Sequence, residues 1–200
     1  MPGKTVQRDS LLDYIDTTTV LSLLSTVAIL LLAYVLSLRL LPRNPAVKTR
    51  ILFVWHAFDA LIHFTLEGSY LYNCFFSTAS ISSSGLGYNG TGVSEFLPPG
   101  VFFLGRQDKL HGAFYGTSPF SALWREYAKA DARWGGSDLT VISLELLTVF
   151  VMAPIAVWVC VCLSRKQNAD RAGSEWFWMI VLATGELYGG KSPRSPFPIP

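Results

Sequence analysis

The segment TVLSLLSTVAILLLAYVLSL runs from Thr19 to Leu38 without a charged residue. At 1.5 Å of rise per residue, about 20 such residues cross the hydrocarbon of a bilayer, so this segment alone restricts the chain to membrane architectures. It is too long for a signal-peptide core and no small-residue cleavage site ends it, so the sequence predicts a retained first helix. LPRNP stops it, because proline cannot continue a helix and disfavours the helical region for the residue before it.

Three more apolar runs follow. The sequence predicts helices over about Ile51 to Phe76, about Leu139 to Leu163, and Trp176 to Gly190, the last short for a span. Pro154 lies inside the third, where a kink is expected and a bundle tolerates it. The expected fold is therefore all-α, a polytopic membrane helix bundle with about four transmembrane helices. Residues 1–17 are read as a lumenal N-terminal segment, 18–190 as the membrane domain with a long loop over 77–137, and 191–200 as a Pro-rich tail.

Composition supports this class and removes others. Half the residues are hydrophobic and 15% are charged, more apolar than ordinary globular chains. The formal net charge is +2, spread along the chain, with no basic stripe of the kind that follows a phosphate backbone. Nucleic acid is therefore not an expected partner. Cys74, Cys160 and Cys162 are odd in number and form no CxxC, so they read as small buried hydrophobes. There is no GxSxG and no Walker sequence.

Arg39, Arg43, Lys48 and Arg50 in the first loop, and Arg165, Lys166 and Arg171 in the third, place both loops in the cytoplasm by the positive-inside rule. The second loop then faces the lumen. Its opening, STASISSSGLGYNGTG, has the Ser/Gly/Asn content of a flexible connection, and Asn89 begins a glycosylation sequon. Its later part mixes aromatic and charged residues and is expected at the membrane interface.

The second helix carries the unusual chemistry. His56, Asp59, His63 and Glu67 recur at spacings of three, four and four, which puts them on one helical stripe. The third helix adds Glu145 and Thr148, and the fourth adds Glu186. Ionisable residues within spans cost about 2.5–3.5 kcal/mol each on insertion scales, so aligned ones are expected to face a bundle cavity. The plainer alternative is that they hydrogen-bond between helices. His56 and Asp59, nearer the helix start, suit that alternative at headgroup depth, whereas His63, Glu67 and Glu145 sit deeper. Metal ligation by the H-x-x-x-E pair is a further reading, weakly signalled without a second His-rich helix; no metal is expected. A histidine and two carboxylates around an apolar pocket suit proton transfer, and hence migration of a double bond through a transient cation.

IHFTLEG around His63 and Glu67, WREYAKADARW from Trp124 to Trp134, DLTVISLELLT with Glu145 and Thr148, and TGELYGG from Thr184 to Gly190 resemble the emopamil-binding protein family of the EXPERA class. The resemblance extends from about residue 17 to 190. It implies a multi-pass endoplasmic-reticulum membrane protein, similar to cholestenol Δ-isomerases that shift a sterol Δ8 olefin to Δ7 without a cofactor. It implies His63, Glu67 and Glu145 as catalytic residues, with Thr148 one turn further along the same face; Thr148, and with it Asp59 and Glu186 of the polar set read above, are expected to bind substrate. The implied partners are a sterol or other hydrophobic small molecule and membrane lipid, with a homodimer as an open possibility. Two alternatives stay open: a non-catalytic sterol or amphiphilic-amine binding protein of the same fold, and an isomerase acting on a secondary metabolite. Two features depart from the family. The second loop is longer, and KSPRSPFPIP stands where a fifth helix is expected, like a truncated or alternatively spliced end.

Overall fold

The computed structural model describes residues 17–81, 97, 101–165 and 174–189. Asn89, the segment before residue 17 and the tail from 191 lie outside the described residues. Helix α1 is Thr17–Leu40; α2 (Val47–Ile62) continues through a π-helical segment, His63–Glu67, into α3 (Gly68–Phe76). After the loop come α4 (Pro119–Tyr127), α5 (Leu139–Leu147), a second π-helical segment over Thr148–Met152, α6 (Ala153–Ser164) and α7 (Ser174–Gly189).

The predicted helices are present within a few residues of their expected limits, and the structure is mostly helical. Two of them, Thr17–Leu40 and Leu139–Ser164, are long and apolar enough to cross a membrane. An all-α description needs one correction. β1 (Thr78–Ser80) pairs antiparallel with β2 (Lys109–His111), in the register Thr78 to His111 and Ser80 to Lys109. β1 begins two residues after α3 ends, where the Ser/Thr-rich sequence no longer supports a helix.

Local chemistry sets the helix limits. Ser118 caps α4 by accepting from Ser121 N–H at 3.0 Å, with Pro119 in the first turn where its missing donor is harmless. Asp138 caps α5 by accepting from Thr140 and Val141 N–H at 2.9 and 3.0 Å. The second π-helical segment has a cause in Pro154. Proline lacks an N–H and its ring clashes with the carbonyl four residues back, so the turn before it widens.

Packing falls into two clusters that meet at the π-helical segments. In one, small residues bring helices close: Ala33 and Ser37 of α1, Ala57 and Ala60 of α2, and Ala153 and Ala156 of α6 are all buried. The other joins α3 to the loop. Tyr70, fully buried, sits edge-on to Trp124 and Trp134 at 5.3 and 5.2 Å between centroids, and those two indoles stack at 5.1 Å. Trp124 is 4% exposed and donates to Ser69 Oγ at 2.8 Å.

The described part of the loop is a fixed cap on α3. Buried Asn73 accepts from the Ser121 and Ser77 hydroxyls at 2.6 and 2.8 Å. Arg125 donates to the carbonyls of Ala113 and Gly116 at 3.1 and 2.5 Å. Gly112 has φ +128°, and a Cβ there would lie 2.6 Å from the Gly135 carbonyl, so only glycine lets the two loop strands approach this closely. The Thr19 hydroxyl donates to Glu126 at 2.9 Å and ties the cap to the start of α1.

Candidate functional site

The expected site residues converge at the junction of the two clusters. His63 opens the first π-helical segment and Glu67 closes it, and this segment packs against the second, which Thr148 opens. Isolated π turns occur often at functional sites because they turn side chains out of the regular helical register. The Thr65 hydroxyl donates to the Leu61 carbonyl at 2.6 Å, giving a partner to backbone that the wider turn loosens.

His63 is 7% exposed and stands between two carboxylates. Its Nδ1 donates to Glu67 Oε2 at 2.5 Å. Its Nε2 lies 3.2 Å from Asp59 Oδ1, although the ring N–H does not point along that line. Across the π–π contact, Glu145 is 2% exposed. The Thr148 hydroxyl shares its proton between the Glu145 carbonyl at 3.1 Å and its carboxyl Oε2 at 3.2 Å. Glu67 also reaches the side chains of Thr148 and Glu145. Carboxylates only accept hydrogen bonds, so a contact between two carboxyl groups needs a proton held between them.

From α7, half-buried Glu186 reaches Asp59. The structure thus strings Glu186, Asp59, His63, Glu67 and Glu145 into one chain across three helical elements. His56 belongs to the same stripe, is buried, and faces the charge of Asp59. Among the described residues, no group of three or more His, Cys, Asp or Glu side chains is arranged to hold a metal ion. An apolar cavity of about 210 Å³ runs beside the cluster between α1, α2 and α6. Ala60, Leu61 and Phe64 line it and flank His63 in sequence, but no ionisable group of the cluster does.

Sequence reading did not single out His111 in the cap. Its Nδ1 donates to the Cys74 carbonyl at 3.1 Å and its ring meets Phe103 edge-on at 5.1 Å. Burial is the main cause that holds this imidazole below the usual histidine range. A lone histidine in a Gly- and aromatic-rich loop carries no periodic signal that would have marked it.

The architecture defines a helical protein with membrane-length apolar helices and a buried cluster of histidine and carboxyl side chains. Residues 119–192 match the family described as EBP, the expanded EBP superfamily or EXPERA. The chain is similar to proteins named 3-beta-hydroxysteroid-Delta(8),Delta(7)-isomerase from Cavia porcellus and Mus musculus. Each is 32% identical over 69 residues, covering 34% of this chain and 28% of the relative. A probable 3-beta-hydroxysteroid-Delta(8),Delta(7)-isomerase of Arabidopsis thaliana is 21% identical over 148 residues, covering 74% of this chain and 48% of the relative. The matched part is thus less than half the length of each of these relatives. The likeness to the emopamil-binding protein family is thus carried by residues 119–192, which its model matches.

Proposed function

We propose that this chain is a sterol or terpenoid double-bond isomerase of the cholestenol Δ-isomerase type, a multi-pass protein of the endoplasmic-reticulum membrane. In this reading residues 18–190 form the membrane domain. The continuous helix 47–76 and α7 join the two longest apolar helices as spans. The observation that carries the proposal is the contact of His63, Glu67, Glu145 and Thr148 across two facing π-helical segments.

The reaction that suits this cluster needs one proton given and one taken. A proton added at C9 of a Δ8 sterol leaves a cation at C8, and loss of a proton from C7 closes the Δ7 double bond. Atoms and charge balance without a redox partner. His63, Glu67 and Glu145 act as a coupled set that supplies the first proton and accepts the second. Their negative charge stabilises the cation between the two steps. Thr148 orients the Glu145 carboxyl, and Asp59 and Glu186 extend the polar lining toward the substrate.

The test is conversion of a Δ8 sterol by the chain in membranes, with products read by mass spectrometry and expression confirmed by immunoblot. Δ7 product is expected, and His63→Ala or Glu145→Gln should lower turnover at least about 100-fold while sparing membrane insertion. Unchanged turnover in either purified variant would remove that residue from the mechanism. Sterol bound but never converted by the unmodified chain would favour the non-catalytic alternative.

A further inference from the structure

The apolar cavity of about 210 Å³ between α1, α2 and α6 takes no part in the histidine and carboxyl cluster. Phe53 and Phe64 line its α2 side, about 16 Å apart at the helical rise, close to one leaflet of a hydrocarbon core roughly 30 Å thick. Leu40, Phe64 and Val157 of its wall are exposed, so it is a groove open to what surrounds the helices.

Three helix ends meet at one end of this groove. The π-helical segments touch at one level, and at another Cys160 Sγ donates to the Phe53 carbonyl at 3.7 Å, so α2 and α6 run antiparallel. Arg50, one turn before Phe53, is therefore level with Ser164 and Arg165, and the short connection 41–46 brings Arg39 to the same end. Each arginine extends a lining face of its own helix: Arg39 follows Leu36 by three residues, Arg50 precedes Phe53 by three, and Arg165 follows Val161 by four. No residue from 39 to 50 is acidic. The buried carboxyl at the start of α7, Glu175, stands beside Trp176, whose ring Lys48 covers at 4.6 Å. Lys48 is two residues before Arg50 and so on the far side of α2. Arg50 itself is half-buried, and its Nε is shielded from solvent with no hydrogen-bond partner among the described residues. Buried donors are seldom left unpaired, and one carried by a guanidinium calls for an anion.

We propose that this groove binds an anionic phospholipid, with one acyl chain against Leu36, Phe53 and Phe64 and the phosphate held by Arg39, Arg50 and Arg165. A guanidinium presents forked N–H donors that match a phosphodiester, and basic pockets between helices at a cytoplasmic face suit such headgroups. The neutral hydroxyl of a sterol would leave the three positive charges uncompensated. The inference rests on the membrane placement but not on the isomerase reaction, since none of these residues belongs to the set of His63, Glu67 and Glu145.

The experiment is native mass spectrometry of the full chain released from detergent, titrated with phosphatidylserine or phosphatidylcholine of identical acyl chains. Phosphatidylserine should bind at least about tenfold more tightly, and Arg50→Gln should cut that preference below about threefold. Should Arg50→Gln fail to fold, Arg165→Gln at the exposed end of α6 reads the same loss. Val157→Trp, which fills the groove from an exposed position on its wall, should weaken both lipids at least about fivefold. Glycerophosphoserine, the headgroup without chains, should not compete at equal concentration. Equal binding of the two lipids, a preference kept by the arginine variants, unchanged binding in Val157→Trp, or competition by glycerophosphoserine overturns the lipid groove and leaves the isomerase reading standing. Displacement of phosphatidylserine by an equimolar Δ8 sterol assigns the groove to substrate and overturns it too, as does a dimer that excludes lipid.

Discussion

Helix α1 and the α5–α6 helix are alike by hydropathy and opposite in use. Both are apolar along their length, yet 6% of the first is buried within the protein and 33% of the second. Along α1, Leu21, Leu24 and Leu31 face outward, and close contact with α2 runs through Ala33 and Ser37. The second helix turns Val141, Ile142, Glu145, Val149, Met152 and Ala156 inward. Apolar length marks both as membrane-length helices, but only the placement of a carboxyl and of small residues separates the outward-facing helix from the inward-facing one.

The contrast can be tested by substitutions of graded severity. The largest effect on stability is expected outside both helices, where Tyr70→Ala empties the aromatic box under the cap. About 3–5 kcal/mol is expected for removing a large buried aromatic, read as loss of the folded form in detergent melting. A small change would mean that the cap does not depend on that box. On the inward helix, Ala156→Leu should overpack the fully buried contact with α2 and destabilise by about 1–3 kcal/mol. The matching change on the outward helix, Leu24→Ala, removes a 58% exposed side chain and should stay within about 0.5 kcal/mol. Equal effects of these two substitutions would erase the distinction between the helices.

A smaller effect should come with acid. Burial keeps the folded-state pKa of His111 below the ordinary value of 6.5. Above about pH 6.5 the ring is neutral in both folded and unfolded chains and contributes no pH dependence. As pH falls through that value, the unfolded chain takes up a proton that the folded chain refuses, and stability declines. Detergent melting of the unmodified chain and of His111→Gln should therefore converge as pH is lowered from 7.5 to 5.5. A constant gap between them would show that His111 does not titrate across folding.

Much of this was legible in the chain. The membrane-length runs, the stripe from His56 to Glu67, and the presence of Glu145, Thr148 and Glu186 on other helices follow from spacing and hydropathy, which are local properties. The cap was not legible. Its order comes from Asn73 meeting Ser121, Arg125 meeting two carbonyls, and Gly112 passing close to Gly135, and none of these pairings has a sequence period. The stacking of Trp124 on Trp134 was not legible for a related reason, since an indole that anchors at an interface and one that stacks in a core look the same in sequence.

The sequence by itself determined that this chain has membrane-length helices and that a histidine and several carboxyls share helical faces, because period and length are written residue by residue. Only the tertiary structure decided which groups meet. It bracketed His63 between Asp59 and Glu67 and brought the π-helical segment that carries His63 and Glu67 against the one that Thr148 opens. The physical reason is that a hydrogen bond requires positions within a few tenths of an ångström. Helical periodicity fixes a face, but only the packing of one helix on another fixes that distance.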